Sequence, residues 1–339
     1  MQKWLRAQLS AALALSLWFL KALAAPPLAV RLSGALSEEQ RQQVLSLVAS
    51  ARADVEAFAL RGEGLVVNRS FGPGGTSHET LFLHRHLERR APALRRQLLD
   101  LALGAERAAG WNLTRGVREG ALRARCIELL TYQGGRHVNP VRWHGDGATL
   151  MTMVVMMSPP GSFEGGAVEL RDYGNGLQEE PAEWDEVIRV GCSSCATRPA
   201  GSVRQERHLE LAPGDALAWR GWTLHRAAPV LKGQRQVLAI EWWLGPDCTS
   251  SGLPRAPDTP KELHRAVYLD PGASQLRRWL GGSLCEQPPC VDARSALRAL
   301  AAYQEAVALA PGDPMATSAL QSFLENGGAQ AAAEASFGK

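Results

Sequence analysis

Between Ala124 and Leu244 the apolar residues come in short runs closed by glycine or proline, which confines this part of the chain to a sheet of buried strands. Cys126-Ile127-Glu128-Leu129-Leu130-Thr131-Tyr132 and Leu150 to Met157 are the clearest runs. Further strands are expected at Gly166 to Arg171, His208 to Leu211, Asp215 to Trp219 and Gln236 to Leu244, separated by turn residues such as Pro213-Gly214. From Arg171 to Arg207 periodicity disappears while Gly, Pro and Glu accumulate, the pattern of a loop inserted into the sheet.

Both flanks of this region have the helical period. Ser37-Glu38-Glu39-Gln40 forms a capping box, and Val44, Leu45, Leu47, Val48 and Val55 continue a helix to Leu60. Residues 62 to 76 are glycine-rich and read as a loop, and Pro92 to Ala109 repeats leucine at helical intervals. Beyond Pro246 a Pro/Ser/Gly-rich connector leads to more helices. One of them, Ala301 to Pro311, resembles the second helix of a tetratricopeptide unit. A single unit cannot form an array, because such repeats bury their faces by stacking, so a packing or dimer helix is expected there. The class is α+β: an N-terminal helical region at 25–120, a sheet domain at 121–246 and a C-terminal helical extension at 247–339.

The first residues read as an address. Lys3 and Arg6 precede an apolar stretch from Ala7 to Leu20, and Ala22-Leu23-Ala24 offers a small-residue cleavage site, so 1–24 is expected to be a signal peptide. The stretch is shorter than the roughly 20 residues of a permanent span; a retained anchor is the alternative reading. No stable membrane span is expected elsewhere, which places the remainder in the secretory pathway, in the endoplasmic reticulum lumen or outside the cell. The sequons Asn68-Arg69-Ser70 and Asn112-Leu113-Thr114 suit that compartment.

Cys126, Cys192, Cys195, Cys248, Cys285 and Cys290 would allow up to three disulfides there, with Cys285–Cys290 the preferred local pair. Cys192-Ser193-Ser194-Cys195 has the spacing of half a zinc site, but no second CxxC follows, so a loop disulfide is the simpler reading. A formal charge of +3 with 45% apolar residues describes an ordered protein without an electrostatic footprint for nucleic acid. The basic run His84 to Arg90, then Arg95-Arg96, is interleaved with apolar residues and reads as a solvated helix face. Basic residues of this region holding an acidic peptide or polysaccharide is the functional alternative.

His144-Gly145-Asp146 sets two metal-ligand types two residues apart, hence on one face of an extended segment. A distant histidine can complete a facial triad, and two imidazoles with one carboxylate suit Fe(II) while leaving coordination positions open. A His-x-Asp alone is weak, since roughly 0.3 arise by chance in a chain with eight histidines. The context is more specific. Leu224-His225-Arg226-Ala227-Ala228-Pro229-Val230 precedes Lys232-Gly233-Gln234-Arg235 and a strand, so Arg235 stands ten residues after His225. In a hairpin or strand pair its planar fork can grip a distal carboxylate near the metal without entering its coordination sphere.

Five segments in order then resemble the Fe(II)/2-oxoglutarate-dependent dioxygenase superfamily, in its prolyl 4-hydroxylase and lysyl hydroxylase-like branch. They are Tyr132-Gln133-Gly134-Gly135, His144-Gly145-Asp146-Gly147, Phe163-Glu164-Gly165-Gly166, Pro213-Gly214-Asp215-Ala216-Leu217 and the stretch around His225 to Arg235. The resemblance covers about Ile127 to Trp243 and implies a double-stranded beta-helix (jelly-roll) core. It implies His144, Asp146 and His225 as iron ligands, Arg235 on the 5-carboxylate of 2-oxoglutarate, and Tyr132 donating its hydroxyl to the same group. O2 would be co-substrate and ascorbate an auxiliary reductant. Arginine at position 235, where prolyl 4-hydroxylases usually carry lysine, leaves prolyl against lysyl open. Thr149, Thr152, Trp219 and Trp243 could line the pocket, although aromatic and threonine residues in strands more often serve the core.

The expected activity is hydroxylation of prolyl or lysyl side chains in a protein or peptide, coupled to decarboxylation of 2-oxoglutarate to succinate. A small-molecule or glycan oxygenase and a non-catalytic luminal binding module are the alternatives. The sequence leaves the oligomeric state open.

Overall fold

A computed structural model describes residues 26–60, 78–118, 120–135, 143–172, 205–246, 259–285, 290, 292–311 and 313–337. The expected signal segment, the glycine-rich loop at 62–76, the Asn68 sequon, most of the insertion after Arg171, and Cys192, Cys195 and Cys248 lie outside the described residues.

The chain enters through β1 (Ala29–Leu32), α1 (Glu38–Leu60), β2 (His78–Phe82), α2 (His84–Arg90) and α3 (Pro92–Ala109). The strands β3 (Arg123–Gln133), β4 (Met151–Met156), β5 (Phe163–Gly165), β6 (Val168–Asp172), β7 (Gln205–Leu209), β8 (Ala216–Arg220), β9 (Leu224–Ala227) and β10 (Val230–Trp243) follow. Helices α4 (Pro260–Leu269), α5 (Ser274–Leu284), α6 (Ala293–Leu309), α7 (Pro314–Glu325) and α8 (Gly328–Phe337) close it.

The pairings are antiparallel and make two sheets. The larger runs β1-β8-β4-β10-β3-β2 with β5 on β10, and the smaller runs β7-β6-β9. Alternation along β3 and β10 divides their side chains between two cores. Ile127, Leu129, Leu238 and Ile240 join Val44, Leu98, Leu263 and Leu276 in a core between the large sheet and the helices. Tyr132 and Val237, with Val154 and Trp219, meet Val168, Leu170 and Leu209 of the small sheet in a second core. Every β4 position is buried, which is why Met151 to Met156 is apolar apart from Thr152.

Several elements depart from expectation. β1 and β2 are strands that the sequence hid. One is only four residues long, and the other, His-Glu-Thr-Leu-Phe, carries polar side chains at the positions facing the second core. The basic run is a helix, but His84, His86 and Leu87 are buried, so only its Glu88-Arg89-Arg90 end is a solvated face. β10 begins six residues earlier than Gln236, because Val230, Lys232 and Gly233 pair with β5. No hairpin joins His225 to Arg235. Ala228 and Pro229 instead carry the chain from the small sheet to the large one. Cys285 and Cys290 form the expected disulfide, whereas Cys126 is a free thiol buried in β3. The helix at Ala301 to Pro311 is the end of α6, which packs among α5, α7 and α8. Asn112 of the second sequon is exposed, at a left-handed backbone position with φ of 56°. Among the described residues, no helix is long and apolar enough to cross a membrane.

Candidate active site

Small residues on both sheets let the three candidate ligands converge. His144 pairs with His225 across an isolated bridge, its N–H donating to the His225 carbonyl at 3.1 Å and its carbonyl accepting from the His225 N–H at 2.8 Å. Asp146 donates its backbone N–H to the Gly221 carbonyl at 2.7 Å, just before β9. The two loops are therefore fastened by backbone hydrogen bonds before any metal is considered. A Cβ at Gly221 would lie 2.1 Å from the Thr149 carbonyl oxygen, so only glycine permits this approach.

His144, Asp146 and His225 each present a ligand atom, all within 4.8 Å of one another, so a single ion can touch all three. His225 Nε2 lies 3.6 Å and His144 Nε2 4.0 Å from the Asp146 carboxylate. His225 Nδ1 is 2.9 Å from the Thr223 carbonyl, which fixes the proton on Nδ1 and leaves the Nε2 lone pair facing the carboxylate. Burial and the neighbouring His144 pull the His225 pKa down to about 3, so the ring is neutral and ready to ligate. Burial pushes the Asp146 carboxyl upward, while Thr152 Oγ1 donates to its Oδ2 and holds it in place. A partly buried carboxylate between an exposed and a buried imidazole, with no fourth protein ligand in the group among the described residues, is the donor set of an open octahedral site.

The triad stands in a cavity of about 420 Å³ between the sheets. Away from it along β10 lies Arg235, opposite Tyr132 of β3. Its guanidinium carbon is 5.2 Å from the Tyr132 ring centre, and the Tyr132 hydroxyl hydrogen-bonds to it. The residue is 2% exposed, its Nε has no hydrogen-bond partner, and no carboxylate pairs with it among the described residues. Burial pushes its pKa down and that of Tyr132 up. A Cβ at Gly166 would lie 2.6 Å from Arg235 Cδ, so a glycine opens the space for this side chain.

Of the four residues that could line the pocket, Thr152 and Trp219 do face the cavity, with the Trp219 ring 4.9 Å from that of His225. Trp243 and Thr149 do not. The first is buried with its Nε1 donating to the Pro246 carbonyl, and the second is buried and donates to Glu241 at 3.2 Å. Sequence reasoning missed Arg125, Glu128, Glu241 and His78, which also face the cavity. Arg125 Nε donates to Glu241 at 2.5 Å. Burial and the charge of Glu241 raise the Glu128 pKa to about 7. For Glu128 and Glu241 the signal was a polar residue at an inward, period-2 position of a largely apolar strand segment. A second, open groove of about 870 Å³ reaches His144 and Asp146 from the C-terminal helices, lined by Trp143, Trp279, Arg278 and Tyr303 among others.

No protein-family model matches this chain, and no curated protein does. Solved structures do match. The non-heme alpha ketoglutarate dependent epimerase SnoN from nogalamycin biosynthesis is 19% identical, with 68% of this chain and 84% of that chain covered and a TM-score of 0.39. The viral collagen prolyl hydroxylase of Paramecium Bursaria Chlorella virus-1 is 11% identical over 64% and 96%, with a TM-score of 0.37. An oxidoreductase of the 2OG-Fe(II) oxygenase family from Burkholderia pseudomallei is 14% identical over 64% and 85%, at 0.36. At such identities and scores the likeness carries no weight for the chemistry, which the side chains decide.

Proposed function

We propose that this protein is an Fe(II)- and 2-oxoglutarate-dependent dioxygenase with a jelly-roll core, hydroxylating prolyl or lysyl side chains of secretory-pathway proteins. The observation that carries the reading is a single cavity holding an open His-Asp-His ligand set and a buried guanidinium that no carboxylate among the described residues pairs with. A buried cation costs several kcal/mol unless it is paired. A diacid that chelates a metal at one end and extends its other carboxylate to Arg235 satisfies both features at once.

His144, Asp146 and His225 would hold the iron, Arg235 and the Tyr132 hydroxyl the distal carboxylate. When bound, the iron and oxo-acid together supply the oxidising power: O2 and 2-oxoglutarate give succinate, CO2 and one oxygen inserted into a substrate C–H bond. The chain's own part is to orient and to exclude water. Thr152 fixes one carboxylate oxygen of Asp146, and the Thr223 carbonyl fixes the His225 tautomer. Trp219, Val154, Val168 and Val237 give the cavity apolar walls beside its charged groups. The groove beside the triad gives a side chain of a larger substrate a route to the metal, which favours a peptide over a small molecule. The Cys285–Cys290 disulfide and the N-terminal pattern support a luminal workplace.

The test incubates purified protein with Fe(II), ascorbate, 2-oxoglutarate and prolyl and lysyl peptides, following succinate and a mass gain of one oxygen. Turnover that disappears in His225→Ala is expected. Absence of succinate with every peptide, unaltered by that substitution, would favour a non-catalytic binding module.

A further inference from the structure

The C-terminal helices meet the metal site through one four-residue turn. Arg220 to Thr223 links β8 to β9, and its carbonyls point in two directions. Toward the site, the Gly221 carbonyl accepts from Asp146 N–H at 2.7 Å and the Thr223 carbonyl accepts from His225 Nδ1 at 2.9 Å. Away from it, the Trp222 carbonyl accepts from Gln275 Nε2 of α5 at 2.9 Å, in a buried position. Asp270, at the C-terminal end of α4, accepts from Arg220 at 2.5 Å and from Trp222 Nε1 at 2.8 Å. A second contact bypasses the turn: the ring of Trp279 in α5 lies so close to Gly145, between the two ligands of the HGD segment, that a Cβ there would be 2.5 Å away.

We propose that Asp270, Gln275 and Trp279 are positioning residues, by which the C-terminal helices set the orientation of Asp146 and His225 for metal binding. This rests on the metal-site reading above. The physical reason is that a ligand's direction is fixed by the groups its residue bonds to. The Gly221 carbonyl holds the Asp146 backbone and the Thr223 carbonyl holds the His225 ring. The helices brace the turn that carries both, beside its own backbone bonds from Gly221 N–H to the Leu150 carbonyl and from Thr223 N–H to the Arg220 carbonyl. The apolar contact of Trp222 with Leu263, Leu276 and Leu280 in the same core keeps the turn seated.

The test titrates Co(II) into the metal-free full-length protein, reading the dissociation constant and the visible d–d spectrum. Gln275→Leu, which keeps the bulk and removes the donor, is expected to weaken Co(II) about tenfold or more and to shift the spectrum. Its far-UV circular dichroism should stay unchanged. Gly145→Ala is expected to weaken binding likewise, and Trp279→Ala added to it should recover part of the loss by making room for the methyl. Tyr268→Ala, on the exposed side of α4, is the control.

Unchanged affinity and spectrum in Gln275→Leu, together with no recovery in the Gly145→Ala/Trp279→Ala pair, would overturn the proposal. A wild type that binds no Co(II) would remove the metal-site reading and this inference with it.

Discussion

Replacing Arg235 with methionine should make the metal-free protein more stable and nearly blind to 2-oxoglutarate. The guanidinium is 2% exposed, its Nε is unpartnered, and its companions are the Tyr132 ring at 5.2 Å and the Tyr132 hydroxyl. The ring contact contributes about 1–2 kcal/mol and the hydrogen bond about 1 kcal/mol, against a desolvation cost of several kcal/mol. Methionine keeps the apolar stem, so a net gain of about 1–3 kcal/mol is expected, or several degrees in melting temperature. Losing one partner of a buried charge pair in the complex costs about 2–5 kcal/mol, which is roughly 30-fold to a few thousand-fold in affinity. Differential scanning of the apo protein and a 2-oxoglutarate titration of the Co(II)-loaded protein measure the two effects. A variant that binds 2-oxoglutarate as the wild type does would refute the assignment of Arg235. A strongly destabilised apo protein would show that the guanidinium is paired within the fold.

Two further outcomes follow from the same cavity. Gly166 has φ of +69°, and a Cβ there would meet Arg235 Cδ at 2.6 Å. Gly166→Ala should therefore lower stability by about 1–2 kcal/mol and weaken 2-oxoglutarate while sparing Co(II), and unchanged binding in a titration would contradict this. Glu128, raised by burial from 4.5 to about 7, holds its proton more tightly folded than unfolded. Stability of the metal-free protein must then fall as pH rises between those values, by up to about 3 kcal/mol from this residue before screening by cavity water. Burial pushes Glu241 and Asp146 the same way. Glu128→Gln should flatten the slope of melting temperature against pH, and an identical slope in the variant would show that Glu128 ionises freely.

The site was legible in the sequence to the extent that backbone spacing determines it. His144 and Asp146 share a face because they are two apart, and the ten-residue step from His225 to Arg235 survives although a sheet-to-sheet crossing, not a hairpin, spans it. Long apolar runs such as β4 were visible because both faces are buried. β2 was not, since two of its cavity-facing residues, His78 and Thr80, are polar and so break the pattern that marks a strand. Trp243 serves the core, as strand aromatics more often do, with its Nε1 on the Pro246 carbonyl. The irregularity in the pairing of β3 with β10 leaves Arg125 as an extra residue between Ala124 and Cys126 and turns its charged side chain to the cavity, and no local spacing signals it. The contacts of Asp270, Gln275 and Trp279 are beyond any sequence pattern, because they join segments some fifty or more residues from the ligands they support.

The most direct measurement is a calorimetric titration of the metal-free protein with Co(II), followed by 2-oxoglutarate. One metal per chain, then one oxo-acid that binds only to the metal-loaded form, with the first step abolished in Asp146→Ala, is the result expected from a triad and a guanidinium facing one cavity. An oxo-acid that binds equally well without metal, or a metal that binds equally well without Asp146, would contradict it.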